Sequence, residues 1–170
     1  MNLDPIRGFL VEHLGTTLSA AFVYGSVAAG RAGPTSDLDC FVITECDLDD
    51  ARRLRIGSGF AALQRGLGFT PDPAYPIELF SVTLCRKILA DPALESLLSS
   101  AVTRGVDTHV GESDQVELLR ALLDRRLVVR PAAVLNELTA QAWTLVHRAT
   151  PEPAVVLQVL GLSDPPGVRP

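Results

Sequence analysis

Hydrophobic spacing along the chain changes period several times. Ile6, Phe9, Leu10 and Leu14 recur at helical spacing and predict a helix over Leu3 to Leu14. Asp4 and Pro5 suit its first turn, and Gly15 stops it. Ala20 to Tyr24 is a short apolar run of strand type that ends at Gly25. Ser26 to Ala29 is small and uncharged, as a brief helical turn requires, and Gly33-Pro34 marks a loop. Asp37 to Thr44 is the clearest strand, because Phe41, Val42 and Ile43 favour extended backbone. Asp47 reads as the N-cap of a helix running to about Gln64. Gly57 and Gly59 each weaken that helix by roughly 1 kcal/mol relative to Ala. Pro71, Pro73 and Pro76 make a stiff connection to a third strand over Ile77 to Leu84. Pro92 to Val102 reads as helix and Val106 to Val110 as a short strand.

The last third changes character. Val116, Leu119 and Leu123 line one face of a helix over Ser113 to Arg125. Val134, Leu138, Leu145 and Val146 do the same over Pro131 to Arg148, with Pro131 suited to the first helical position. Five of the 12 prolines fall in the last 20 residues, which describes a partly docked tail.

Composition narrows this picture. An apolar fraction of 47% over 170 residues supports a real core and excludes intrinsic disorder. The 15 Lys and Arg against 20 Asp and Glu give a net charge of −5, which argues against a nucleic-acid partner. Lys87 is the only lysine, so no Walker-type Lys-Ser/Thr pair exists. No apolar run is long enough to span a membrane and no secretory leader is visible. Cys40, Cys46 and Cys85 are odd in number and lack CxxC spacing, which points to a reduced, cytoplasmic protein without a zinc site.

The chemistry concentrates in Tyr24 to Ile43, YGSVAAGRAGPTSDLDCFVI. Residues two apart on a strand share a face, so Asp37 and Asp39 project together, with Leu38 and Cys40 opposite. Two adjacent carboxylates repel unless a cation lies between them, and hard oxygen ligands suit Mg²⁺. Gly25 permits close approach of a ligand to the backbone, and the N–H groups of the next turn, with the Ser26 hydroxyl, can face phosphate oxygens. Glu78 is a charge inside the apolar strand YPIELFSV. Placement beside the aspartates, sharing the metal or acting as general base, accounts for it.

This pattern resembles the DNA polymerase β-type nucleotidyltransferase superfamily: GS, a spacer of about ten, an acidic-x-acidic strand and a later third acid. Gly25, Ser26, Asp37, Asp39 and Glu78 match it in order over about residues 18 to 84. GPTSDLD, with Glu in the third strand, is similar to the antibiotic nucleotidyltransferases, and the size to the minimal ones, including antitoxins. The resemblance implies an α+β fold, a small mixed sheet flanked by helices, and says little about 113–170; with the spacing described above, the chain divides into a core over 1–112, packed helices over 113–150 and a Pro-rich tail over 151–170. The resemblance further implies that Asp37 and Asp39 hold two Mg²⁺ ions, with Glu78 as a further ligand or the base. Gly25, Ser26 and Ser36 would bind the phosphates of ATP or another NTP. A hydroxyl would attack the α-phosphate and pyrophosphate would leave.

Several readings stay open at this level. The acceptor is first read as a small antibiotic-like alcohol, and alternatively as a protein side chain of a toxin. The other class is a non-catalytic nucleotide-binding or interaction module. The late helices could contact a second copy or a toxin. Ala29 stands where many relatives carry arginine, with Arg31 nearby. Ser36 reads equally as a turn cap. Tyr24 and Phe41 read as core, Trp143 as a packing residue and His147 as a helix C-terminal charge.

Overall fold

The computed structural model describes residues 1–33, 35–104 and 113–162. It is a mixed α+β fold that divides into two compact units, one of Met1–Leu84 with Arg126–Val134, the other of Cys85–Arg125 with Leu135–Pro170. The chain therefore passes between units three times.

In the first unit, helix α1 covers Asp4–Leu14 and ends at Gly15, whose φ of 55° is the left-handed turn the glycine permits. Strand β1 (Leu18–Val23) leads into the one-turn helix α2 (Gly25–Ala28). Strand β2 is Cys40–Thr44, and helix α3 is Asp50–Gly66. The N-cap of α3 is Asp49, not Asp47: its carboxylate accepts from the Arg52 N–H at 2.7 Å. Strand β3 is only Glu78–Ser81. The Ser81 hydroxyl accepts from the Leu84 N–H, so the apolar run expected to continue as strand turns instead into helix α4 (Val82–Leu89).

The four strands form one sheet in the order β3-β2-β1-β4. β4 is Leu127–Arg130, a strand that the helical reading of the last third missed. β2 and β3 pair in parallel, while β1 runs antiparallel to both β2 and β4. One face carries Ala21, Val23, Cys40, Val42, Leu79 and Val129, and packs with Ile6 and Leu10 of α1 and Ile56 and Phe60 of α3. The other face carries a row of rings, with Phe22 stacked on Phe41 and Phe41 on Phe80. Arginines tie the helices to the strand ends: Arg7 donates to the Val129 carbonyl at 3.0 Å, and Arg53 to the Leu79 carbonyl at 2.8 Å. At Gly59 of α3 an added Cβ would lie 3.0 Å from the Phe9 ring, so this helix-weakening glycine gives α1 a close seat.

The second unit is helical. It holds α5 (Pro92–Arg104), α6 (Asp114–Leu123), most of α7 (Ala133–Ala149) and α8 (Pro153–Val159). Pro131 precedes α7 rather than opening it, and the start of the Pro-rich tail is the helix α8, with Val156 and Leu157 buried. Exposed ion pairs Arg86–Glu137 and Arg148–Glu95 lie across its helices. Val106 to Val110, expected as strand, lies outside the described residues. Among the described residues no helix is long and apolar enough to cross a membrane.

Candidate active site

β2 begins at Cys40, so Asp37 and Asp39 stand just before the strand rather than inside it. The cause is the departure of β1. The Tyr24 N–H still donates to the Asp39 carbonyl at 3.1 Å, after which the chain turns away into α2. The Leu38 N–H then takes a side chain in place of a strand neighbour: it donates to Oε1 of Gln64 at 2.9 Å. Leu38 and Cys40 are buried in the core cluster, which leaves the half-buried Asp37 and Asp39 on the other side, as the alternation predicted.

Gly25 fits against this pair. Its φ is +64°, and a Cβ there would overlap Oδ2 of Asp39 and come within 2.9 Å of its Cγ. Backbone conformation and the nearness of a carboxylate both require glycine at this point. The next residue, Ser26, holds a buried hydroxyl oxygen with no hydrogen-bond partner. A buried orphan hydroxyl costs roughly 1–3 kcal/mol, which makes Ser26 a candidate ligand contact. Ser36 is placed differently. Its hydroxyl accepts from the Gly33 N–H at 2.9 Å and closes the turn, though a hydroxyl that accepts one bond can still donate its proton.

Glu78 opens β3 and pairs in register with Phe41, two residues on from Asp39. Register and alternation put Asp39 and Glu78 on the ring-bearing face. Asp37, Asp39 and Glu78 line one recess with Tyr24, Gln64 and Tyr75. Its volume of about 20 Å³ has room for a water-sized guest, which needs roughly 10–15 Å³. Among the described residues no group of three or more His, Cys, Asp or Glu is placed to hold a metal ion unaided. Two carboxylates and an ion-sized recess still fit Mg²⁺, which takes one or two carboxylates and completes its shell with water and substrate phosphates.

Burial shifts two titratable groups of this unit. Cys40 lies behind Asp39, and its thiol is held well above the ordinary range, first by burial and then by the Asp39 charge. Arg126, just before β4, holds its guanidinium carbon 5.6 Å from the centre of the Phe22 ring. Burial lowers its pKa.

The model of the nucleotidyltransferase domain family matches residues 3–90. The chain belongs to that family. It is thus a transferase of nucleotidyl groups, and Gly25, Ser26, Ser36, Asp37, Asp39 and Glu78 all fall inside the matched span.

Among solved structures, a toxin-antitoxin with AMP-PNP is similar at 14% identity and a TM-score of 0.44, over 86% of each chain. A mutant of the toxin-antitoxin MntA-HpeT is similar at 12% identity and a TM-score of 0.44, again over 86% of each chain. A second mutant of that pair has 14% identity and a TM-score of 0.43, over 86% of this chain and 85% of the other. A search of the curated proteins returned no match.

Sequence reasoning missed Gln64 and Tyr75 in the recess of this nucleotidyltransferase. Gln64 had a signal. Ile56, Phe60 and Gln64 follow one another at i, i+4 and i+8, so a polar side chain lies on the buried stripe of α3.

Proposed function

We propose that this nucleotidyltransferase moves a nucleoside monophosphate, AMP from ATP, to the hydroxyl of a small alcohol-like molecule in the presence of Mg²⁺. The observation that carries the reading is the orphaned Ser26 hydroxyl beside a glycine packed on the Asp39 carboxylate. Ser26 and the N–H groups of α2 would take the triphosphate oxygens, and Ser36 would add a donor from the facing loop. Asp37 and Asp39 would hold the metal, which when bound polarises the phosphate and stabilises the leaving pyrophosphate. Glu78 would accept the proton of the attacking hydroxyl from its place on the same recess.

Labelled ATP and Mg²⁺ incubated with a panel of alcohols and with candidate partner proteins test this. Pyrophosphate release coupled to labelling of a small acceptor is the expected result. Labelling of a protein alone would move the acceptor to the alternative class. Turnover that survives replacement of both Asp37 and Asp39 by Ala would end the assignment. Tight MgATP binding without turnover on any acceptor would instead favour a nucleotide-binding module.

A further inference from the structure

Gln64 is 1% exposed, near the C-terminal end of α3, and both ends of its amide are used. Oε1 accepts from the Leu38 N–H at 2.9 Å, and Nε2 donates to the Pro76 carbonyl at 2.7 Å. Leu38 lies between the two aspartates. Pro76 lies two residues before Glu78. One side chain therefore joins the backbones of the two segments that carry all three acids.

The place of this bridge gives it its weight. The β2–β3 register starts at Phe41 and Glu78. Upstream of that pair the segments lie outside the ladder, where their spacing needs another support. The planar amide supplies a donor and an acceptor at a fixed separation, as a ladder bond would. One more bond from the turn after α3 holds the Asp37 segment: the Thr70 N–H donates to the Ser36 carbonyl at 3.0 Å.

We propose that Gln64 is a positioning residue that anchors the Asp37–Asp39 segment to the segment leading into Glu78, and through the placement of the two aspartates sets the affinity of the site for a divalent cation. This rests on the metal reading given above. Two carboxylates that must share one ion tolerate little error in placement, so losing either end of the strut weakens ion binding before it alters the fold.

The test uses the full chain and Mn²⁺, titrated with saturating α,β-methylene-ATP and read by electron paramagnetic resonance. Gln64→Leu removes both bonds, and Gln64→Asn is too short to span both partners. Each should weaken Mn²⁺ by about tenfold or more, with circular dichroism unchanged. Leu10→Ala, a core change in α1 away from the recess, should lower the melting temperature and leave Mn²⁺ affinity alone. Affinity within twofold of wild type in both Gln64 variants would overturn the proposal. Should neither variant fold, amide exchange at Leu38 in the wild type decides. Slowing on addition of Mn²⁺ and the analogue supports the strut, and no change overturns it. A wild type that binds no Mn²⁺, or binding that survives loss of Asp37 and Asp39, defeats the metal reading first and the strut with it.

Discussion

At Ser26 stability and function pull in opposite directions. Its buried hydroxyl oxygen lacks a partner, so the free protein bears a desolvation cost that a bound phosphate would relieve. Ser26→Ala should therefore leave the apo protein as stable as before or more stable by about 1 kcal/mol, while weakening MgATP about five- to tenfold. Urea denaturation and calorimetry read the two effects separately, and a parallel loss in both would mean an ordinary structural serine. The cysteines give a pH-dependent case. Burial pushes the Cys85 thiol up to about 12 and raises Cys40 further, against an ordinary value of 9.0. Their raised folded values mean that the unfolded chain loses these protons first. Their contribution is complete below pH 9 and falls as pH rises toward 12. Alkaline titration of stability should show this slope and lose part of it in Cys85→Ala. At pH 8 only the exposed Cys46 should react quickly with a thiol reagent, and three thiols should react after unfolding.

Most elements could be read from spacing, but their ends could not. The α1 stripe, the apolar run of β1 and the β-branched core of β2 are local signals, and the structure places each within a few residues of its expected span. The ends depend on partners distant in sequence. β2 starts three residues later than expected because β1 turns away into α2 after Tyr24, and Leu38 then bonds Gln64 instead of a strand. β3 stops early because Ser81 caps α4. The acids themselves were legible because GS, DLD and the lone Glu78 are short-range patterns, whereas the Gln64 bridge spans 26 residues. The start of α3 allows a direct comparison of two neighbouring candidates. Asp49 bonds the Arg52 N–H and Asp47 does not cap the helix. Asp49→Ala should cost about 1 kcal/mol and Asp47→Ala less than about 0.5 kcal/mol. Denaturant midpoints of the two variants check this, and equal losses would mean that the cap is shared.

At the scale of the whole molecule, the decisive element is the one that sequence reading missed. β1 lies inside the sheet only because β4 pairs with it on the side opposite β2. β4 arrives more than a hundred residues after β1, so its pairing closes a long loop and yields no local periodicity to read. A chain cut at residue 112, where the sequence suggests that the core ends, would keep every acid of the site and lose β4. It would also lose Val129 from the core cluster and the carbonyl that Arg7 bonds. β1, with the sequence LSAAFV and five of its six residues buried, would become an open apolar edge. The 1–112 fragment should therefore aggregate or melt without cooperativity, although it carries all the motif residues. Gel filtration and circular dichroism of the fragment beside the full chain are the measurements. A monomeric fragment that melts cooperatively would show that β4 is dispensable and that the nucleotidyltransferase core is the continuous segment its motif suggests. Failure of the fragment would instead mean that the catalytic unit is assembled from both sides of the helical insertion, so that a motif confined to the first half still depends on a strand from the last third.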